Sequence, residues 1–134
     1  MKITIVNHSD NRGGAAIVSL RLMEALRDAG HDAVMLVAHK YTDHPHVHAI
    51  EARYRLKACF AAEHLQILAG NGLRRRDMFK VSTAAFGLPL SRHHLVRGAD
   101  AVMLNWVNQG MLSLDEIARI AAERPTVWTM HDMW

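Results

Sequence analysis

Gly13 and Gly14 close a polar turn, Ser9-Asp10-Asn11-Arg12-Gly13-Gly14, between a β-branched run and an apolar segment of helical period. Glycines beside a helix N-terminus leave backbone N–H groups bare and let the helix dipole act at short range, which is what a phosphate needs. The same residues would serve equally well to turn the chain and cap the helix. They do not spell the G-x-G-x-x-G dinucleotide fingerprint, and no acidic residue ends the next apolar run to hold a ribose, so a nicotinamide cofactor is disfavoured. A second candidate is His131-Asp132, just after the last apolar run. A neutral imidazole can hydrogen-bond a substrate hydroxyl, and an adjacent carboxylate can orient or charge it; a purely structural pair is the alternative. Asn105-Trp106-Val107-Asn108 is a third. An aromatic face with amide groups suits a sugar, whose C–H surface stacks while its hydroxyls need donors and acceptors, although packing is the commoner fate of a Trp.

Other clusters carry less. His44-Pro45-His46-Val47-His48 and His93-His94 could chelate, but they lack a fixed scaffold or carboxylate partner, so no metal is expected. Arg74-Arg75-Arg76 and the Arg53, Arg55 and Lys57 face read as solvated surface, with an anionic lipid headgroup or phosphate as the alternative partner. Cys59 has no histidine partner to activate it. There is no serine elbow, P-loop or paired-carboxylate hydrolase motif.

The elements that must position these residues follow from periodicity. Lys2 to Asn7 reads as a central strand, buried on both faces. Ala15, Val18, Leu22, Ala25 and Ala29 then share a helical face flanked by Leu20, Met23 and Leu26, and Gly30 stands where the helix should stop. Ala33 to Ala38 is a second buried strand, and strand-helix-strand units are parallel and right-handed in nearly all cases. The fold class is therefore α/β.

Residues 39–48 read as loop. Ile50, Tyr54, Ala58, Ala61, Leu65 and Leu68 predict an amphipathic helix that ends at Gly70-Asn71-Gly72. Residues 73–98 read mostly as loop, with a short helix near Leu95. Ala101 to Asn105 is a third strand, Ser113-Leu114-Asp115-Glu116 a capping box opening a helix, and Thr126 to Met130 a fourth strand. In this reading Gly13-Gly14, Asn105-Trp106 and His131-Asp132 all follow strands and lie on one carboxyl edge.

Composition sets the bounds. The 134 residues, 50% hydrophobic and 22% charged, describe one soluble globular domain. A net charge of +3 from 16 basic and 13 acidic residues gives no reason to expect nucleic acid. A single cysteine fits a reducing compartment, and neither a signal peptide nor an apolar run of the roughly 18 residues a membrane span needs is present, so a cytoplasmic location is expected.

Together the residues resemble a known family. The opening MKITIVNHSDNRGGAA, the ALRDAGHDAVMLV that follows, KVSTAAFGLPLSRHHLVRGADAVMLNWVNQGMLSLDEI and the closing PTVWTMHDMW are similar to the N-terminal domain of family 4-type retaining glycosyltransferases with the GT-B architecture. The resemblance spans nearly the whole chain and is weakest between Ala38 and Met78. It implies a Rossmann-like parallel sheet with helices on both faces, the acceptor-side half of a two-domain enzyme, here incomplete. It further implies a nucleotide-sugar donor as co-substrate, a saccharide or lipid-linked acceptor, and no cofactor or metal. The work would be polysaccharide or glycolipid assembly, with peripheral contact at the inner face of the membrane. Carried onto this sequence, it puts Gly13 and Gly14 at the donor diphosphate, His131 with Asp132 at the transferred sugar as the catalytic pair, and Asn105 and Trp106 at the acceptor.

The donor-binding C-terminal domain and its acidic motif do not fit within 134 residues, so residues 1–134 read as one partial domain whose isolated form should bind donor weakly or not at all. Two rivals stand beside this reading: a non-catalytic binding or assembly half-domain that pairs with a separate C-terminal half, and a small flavodoxin-like nucleotide or phosphate binder.

Overall fold

The computed structural model describes residues 1–75 and 81–131. Five strands form one sheet: β1 (Lys2–Ser9), β2 (Asp32–His39), β3 (Val47–Ala49), β4 (Ala101–Leu104) and β5 (Thr126–Trp128). Their order is β3-β2-β1-β4-β5, and every pairing is parallel. The helices are α1 (Gly14–Asp28), α2 (Arg53–Gly70), α3 (His94–Arg97), preceded by a 3-10 turn at Leu90–Arg92, and α4 (Leu114–Glu123). The fold is the expected α/β Rossmann-like sheet with β1 at its centre.

Both faces of the sheet are covered, and alternation along the strands decides which side chain meets which layer. Ile3 and Ile5 of β1 join Ala33, Met35 and Val37 of β2 against Met23 of α1. Val6, Leu36, Val102 and Leu104 point the other way, into a larger core with Leu56 of α2, Val96 of α3 and Ile117 and Ile120 of α4. A strand apolar on both faces has no solvent side, which is why the opening reads as a continuous β-branched run.

Four expectations need correction. Residues 39–48 are not all loop, because Val47 opens β3, pairing Met35↔Val47 and Val37↔Ala49 on the sheet edge. Three residues after a proline and among histidines give too short a period to read. Helix α1 buries Ala16, Ser19 and Met23, so its core face is turned about one residue from the expected one, and Val18 is exposed. The serine conceals the true stripe: Ser19 Oγ donates to the Ala15 carbonyl at 2.6 Å, which satisfies it inside the core.

Helix α2 starts at Arg53 and buries Leu56, Glu63 and Ile67, leaving Tyr54 (88%) and Leu65 (67%) exposed, although both were expected to face inward. The reason is Glu63, whose Oε1 accepts from Ser82 Oγ at 2.6 Å and from the Thr83 and Ala84 N–H groups at 2.7 and 3.1 Å. A buried carboxylate that ties the 82–84 segment to the helix fixes the face that periodicity in apolar residues cannot find. The same segment packs on residues 111–114 through Leu88 N–H to the Met111 carbonyl and Leu114 N–H to the Ala84 carbonyl. Gly110, at φ +76°, lies against the α2 backbone, where an added Cβ would stand 2.6 Å from Phe60 N.

Ser113 caps α4 by accepting from Glu116 N–H at 3.2 Å, as expected. Glu116 does not complete a capping box; its Oε1 instead accepts from the Ser91 N–H at 2.7 Å. The short helix expected near Leu95 is α3. Of the arginine triplet, Arg76 lies outside the described residues.

Candidate functional site

The strand order places a switch point beside β1. The chain leaves β1 through α1 to β2 on one side and later returns to β4 on the other, so the loops after β1 and β4 diverge and leave a crevice at the carboxyl edge. A recess of about 580 Å³ lies there, lined by Asn7, Ser9, Arg12, Gly13, Gly14, Trp106 and His131 among others.

Asn7 holds the two diverging loops. It is buried at the end of β1, where its Oδ1 accepts from the Trp106 N–H at 2.8 Å and its Nδ2 donates to the Ser9 carbonyl at 2.6 Å. His8 N–H adds a bond to the Trp106 carbonyl at 2.9 Å. Ser9 then shapes the turn, its Oγ lying 3.0 Å from the Arg12 carbonyl and 3.3 Å from the Arg12 N–H.

Gly13 sits at φ +89°, a left-handed conformation that glycine adopts without the Cβ penalty, and nothing lies within 4 Å of a Cβ built there or on Gly14. Helix α1 starts at this point with no side-chain cap and no acidic residue in its first turn. Its first N–H groups therefore open on the recess together with the positive end of the helix dipole. Arg12 adds a guanidinium, stacked 4.1 Å from the centre of the Tyr41 ring.

Asp10 is tied to the loop after β2. It is buried and turned away, with Oδ1 accepting from Tyr41 N–H at 2.8 Å and Oδ2 from Thr42 N–H at 2.8 Å and Thr42 Oγ1 at 2.6 Å. Burial alone would raise its pKa, but these hydrogen bonds outweigh that and hold it below the ordinary carboxylate value.

Asn105 lies beneath the recess rather than on its wall. It is buried, its Nδ2 donates to Ser19 Oγ at 2.7 Å, and its Oδ1 is 3.4 Å from His131 Nε2. The direction of this chain is set at its far end, because the Ala15 carbonyl can only accept. Ser19 Oγ therefore donates to it and accepts from Asn105 Nδ2, which leaves Asn105 Oδ1 to accept from a protonated Nε2 of His131. In neutral His131 the lone pair is then on Nδ1.

An aromatic row continues from Trp106 along the carboxyl edge. The His8 ring lies 4.9 Å from Trp106, edge-on, and 5.0 Å from His39, which in turn is 6.3 Å from Tyr41. Burial, and then the neighbouring His39, lowers the His8 pKa to about 4, so His8 is neutral at pH 7.

The structure thus brings Gly13, Gly14, Trp106 and His131 to one recess, with Asn105 one layer below; Asp132 lies outside the described residues. Asn7, His8, Asp10, Arg12 and Ser19 were not singled out for these roles by sequence reasoning. Their one legible signal is polar residues in otherwise apolar segments, Asn7 in β1 and Ser19 on the core face of α1. Among the described residues no three His, Cys, Asp or Glu side chains converge as a metal site, and no helix is long and apolar enough to cross a membrane.

A parallel sheet with an uncapped helix terminus and an aromatic and imidazole rim at its switch point defines a Rossmann-like α/β domain. The sequence matches the glycosyl transferase 4-like domain over residues 13–134, and the chain belongs to that family of glycosyltransferase domains. No curated protein and no solved structure matches it.

Proposed function

We propose that this domain is the acceptor-side half of a retaining glycosyltransferase that moves a hexosyl group from a nucleotide-sugar to a saccharide or lipid-linked acceptor. The observation that carries the reading is the first turn of α1, free of side-chain cap and carboxylate, opening on the same recess as Arg12, Trp106 and His131. Transfer breaks the bond between the anomeric carbon and the diphosphate, and negative charge grows on the departing oxygens. Bare N–H groups and a guanidinium fixed beforehand stabilise that charge without reorganising.

His131 contacts the transferred sugar, its Nδ1 lone pair accepting from a hydroxyl while Nε2–H is held by Asn105. Trp106 offers the acceptor an aromatic surface, and Asp132 is assigned with His131 from the family resemblance. The reading invokes no resident cofactor. It requires a second Rossmann-like domain to grip the nucleotide, on the same polypeptide or a separate one. The exposed Arg53, Arg55 and Lys57 beside Tyr54 and Leu65 on α2 support peripheral contact with anionic lipid.

The test is acceptor-dependent release of nucleoside diphosphate by the domain paired with its donor-binding half, across a panel of nucleotide-sugars. His131→Ala should lower kcat about 10²-fold, and Asn105→Leu, which frees the ring without removing it, about 10-fold. Unchanged turnover in both variants would remove His131 from the reaction.

A further inference from the structure

A second and larger cavity, of about 740 Å³, lies on the α2–α3 face beside the edge strand β3, and it shares no lining residue with the recess at the switch point. Its wall is strongly unbalanced in charge. Lys40, Arg55 and Arg92 supply three fixed cations and His48, His93 and His94 three imidazoles, against the single carboxylate of Glu51. Its floor is apolar, with Val47, Ile50, Leu88 and Leu90 buried beneath it.

The two guanidinium groups are uncommitted. Among the described residues neither the Arg55 nor the Arg92 guanidinium has a hydrogen bond or ion pair, whereas Lys40 Nζ donates to the His44 carbonyl at 3.1 Å. His93 is fixed in a useful tautomer: its Nδ1 accepts from the Leu95 N–H at 3.3 Å, so in the neutral ring the proton is on Nε2, a donor left for a ligand. Its ring stacks on His94 with centroids 4.5 Å apart. Burial, then His94 and His48, lowers the His93 pKa while Glu51 pulls the other way.

We propose that this cavity is a binding site for a phosphate ester with an apolar or aromatic body, the phosphate held by Arg55 and Arg92 with the His93 Nε2–H, and the body resting on the Val47–Ile50 and Leu88–Leu90 floor. Arginine forks match phosphate oxygens bidentately, which gives such a site geometry as well as charge. None of its residues takes part in the sugar-transfer chemistry, although Arg55 also belongs to the basic face of α2 assigned to lipid contact.

The same chemistry is presented by a free phosphate ester and by a lipid headgroup, so two probes are needed. Phenyl phosphate titrated into the whole protein, followed by NMR, should give saturable shifts at His93 and its neighbours. Phenol should give none there. Vesicles containing phosphatidic acid, in a sedimentation assay, report the headgroup.

Arg55→Gln combined with Arg92→Gln, both at exposed side chains, should leave the fold intact by circular dichroism and weaken whichever binding is seen by about 10-fold or more. Saturable phenyl phosphate binding lost in the double variant assigns a free ester; vesicle binding alone, lost in the same variant, assigns a lipid headgroup. Phenol binding as well as phenyl phosphate, or neither probe responding to the double substitution, overturns the site. Shifts at Gly13 and Gly14 report the other recess and count for neither outcome.

Discussion

His8 shows what a residue's environment decides that its type does not. As an isolated imidazole it would carry charge near pH 6, but packed between Trp106 and His39 its pKa is about 4. The folded pKa lies below the unfolded one, so the unfolded chain takes up the proton first as pH falls. Stability is unaffected above the ordinary histidine pKa, declines below about 6.5, and has lost the full contribution of about 3 kcal/mol near pH 4. Asp10, also held below its ordinary value, acts in the same direction at still lower pH. His8→Phe keeps the ring packing and removes the proton site, so the difference in urea-unfolding free energy between pH 7 and pH 4.5 should shrink by about 2 kcal/mol; an unchanged difference would show that His8 is not the group responsible. At this scale the glycines, Trp106 and His131 were legible because their types carry a signal. Asn7, Ser19 and Asp10 were not, since a small polar residue, even one that stands out in an apolar segment, takes its role from partners distant in sequence, such as Trp106, Asn105 and Tyr41.

Elements were legible where apolar residues alone set the face. Strands β1 and β2, buried on both sides, strand β4, and the Ser113 cap of α4 followed from period and capping chemistry. Helices α1 and α2 were found, but their core faces were misjudged, because each turns a polar side chain inward, Ser19 in one and Glu63 in the other. Strand β3 was missed because it is three residues long and owes its existence to pairing with β2.

The placement of α2 also depends on a backbone contact that no pattern shows, the approach of Gly110 to Cys59 and Phe60. Gly110→Ala meets both the positive φ and the overlap with the α2 backbone, so a loss of about 3 kcal/mol in denaturant unfolding is expected. A loss below about 0.5 kcal/mol would mean that α2 is free to move away.

For the molecule as a whole, one property of the strand order connects fold and site. Because the strands are parallel, the loops after β1, β4 and β5 share one edge, and because β1 is central with its neighbours reached in opposite directions, a crevice opens there that residues as far apart as Gly13, Trp106 and His131 line. That convergence was readable once the segments were taken as parallel strands, since it needs only the rule that loops after parallel strands share an edge. The hydrogen-bond chain under the recess, from Ala15 through Ser19 and Asn105 to His131, was not, because it crosses between α1, β4 and the segment after β5.

The proposed function requires the recess at the switch point to bind the diphosphate of a glycosyl donor. The decisive measurement is an NMR titration with inorganic pyrophosphate of the domain paired with its donor-binding half. Saturable shifts of the Gly13, Gly14 and Ala15 amides and of the His131 ring are expected, weakened about 5-fold by Arg12→Gln. Pyrophosphate that leaves those amides unmoved, or binds as well to the Arg12→Gln variant, would contradict the proposed function.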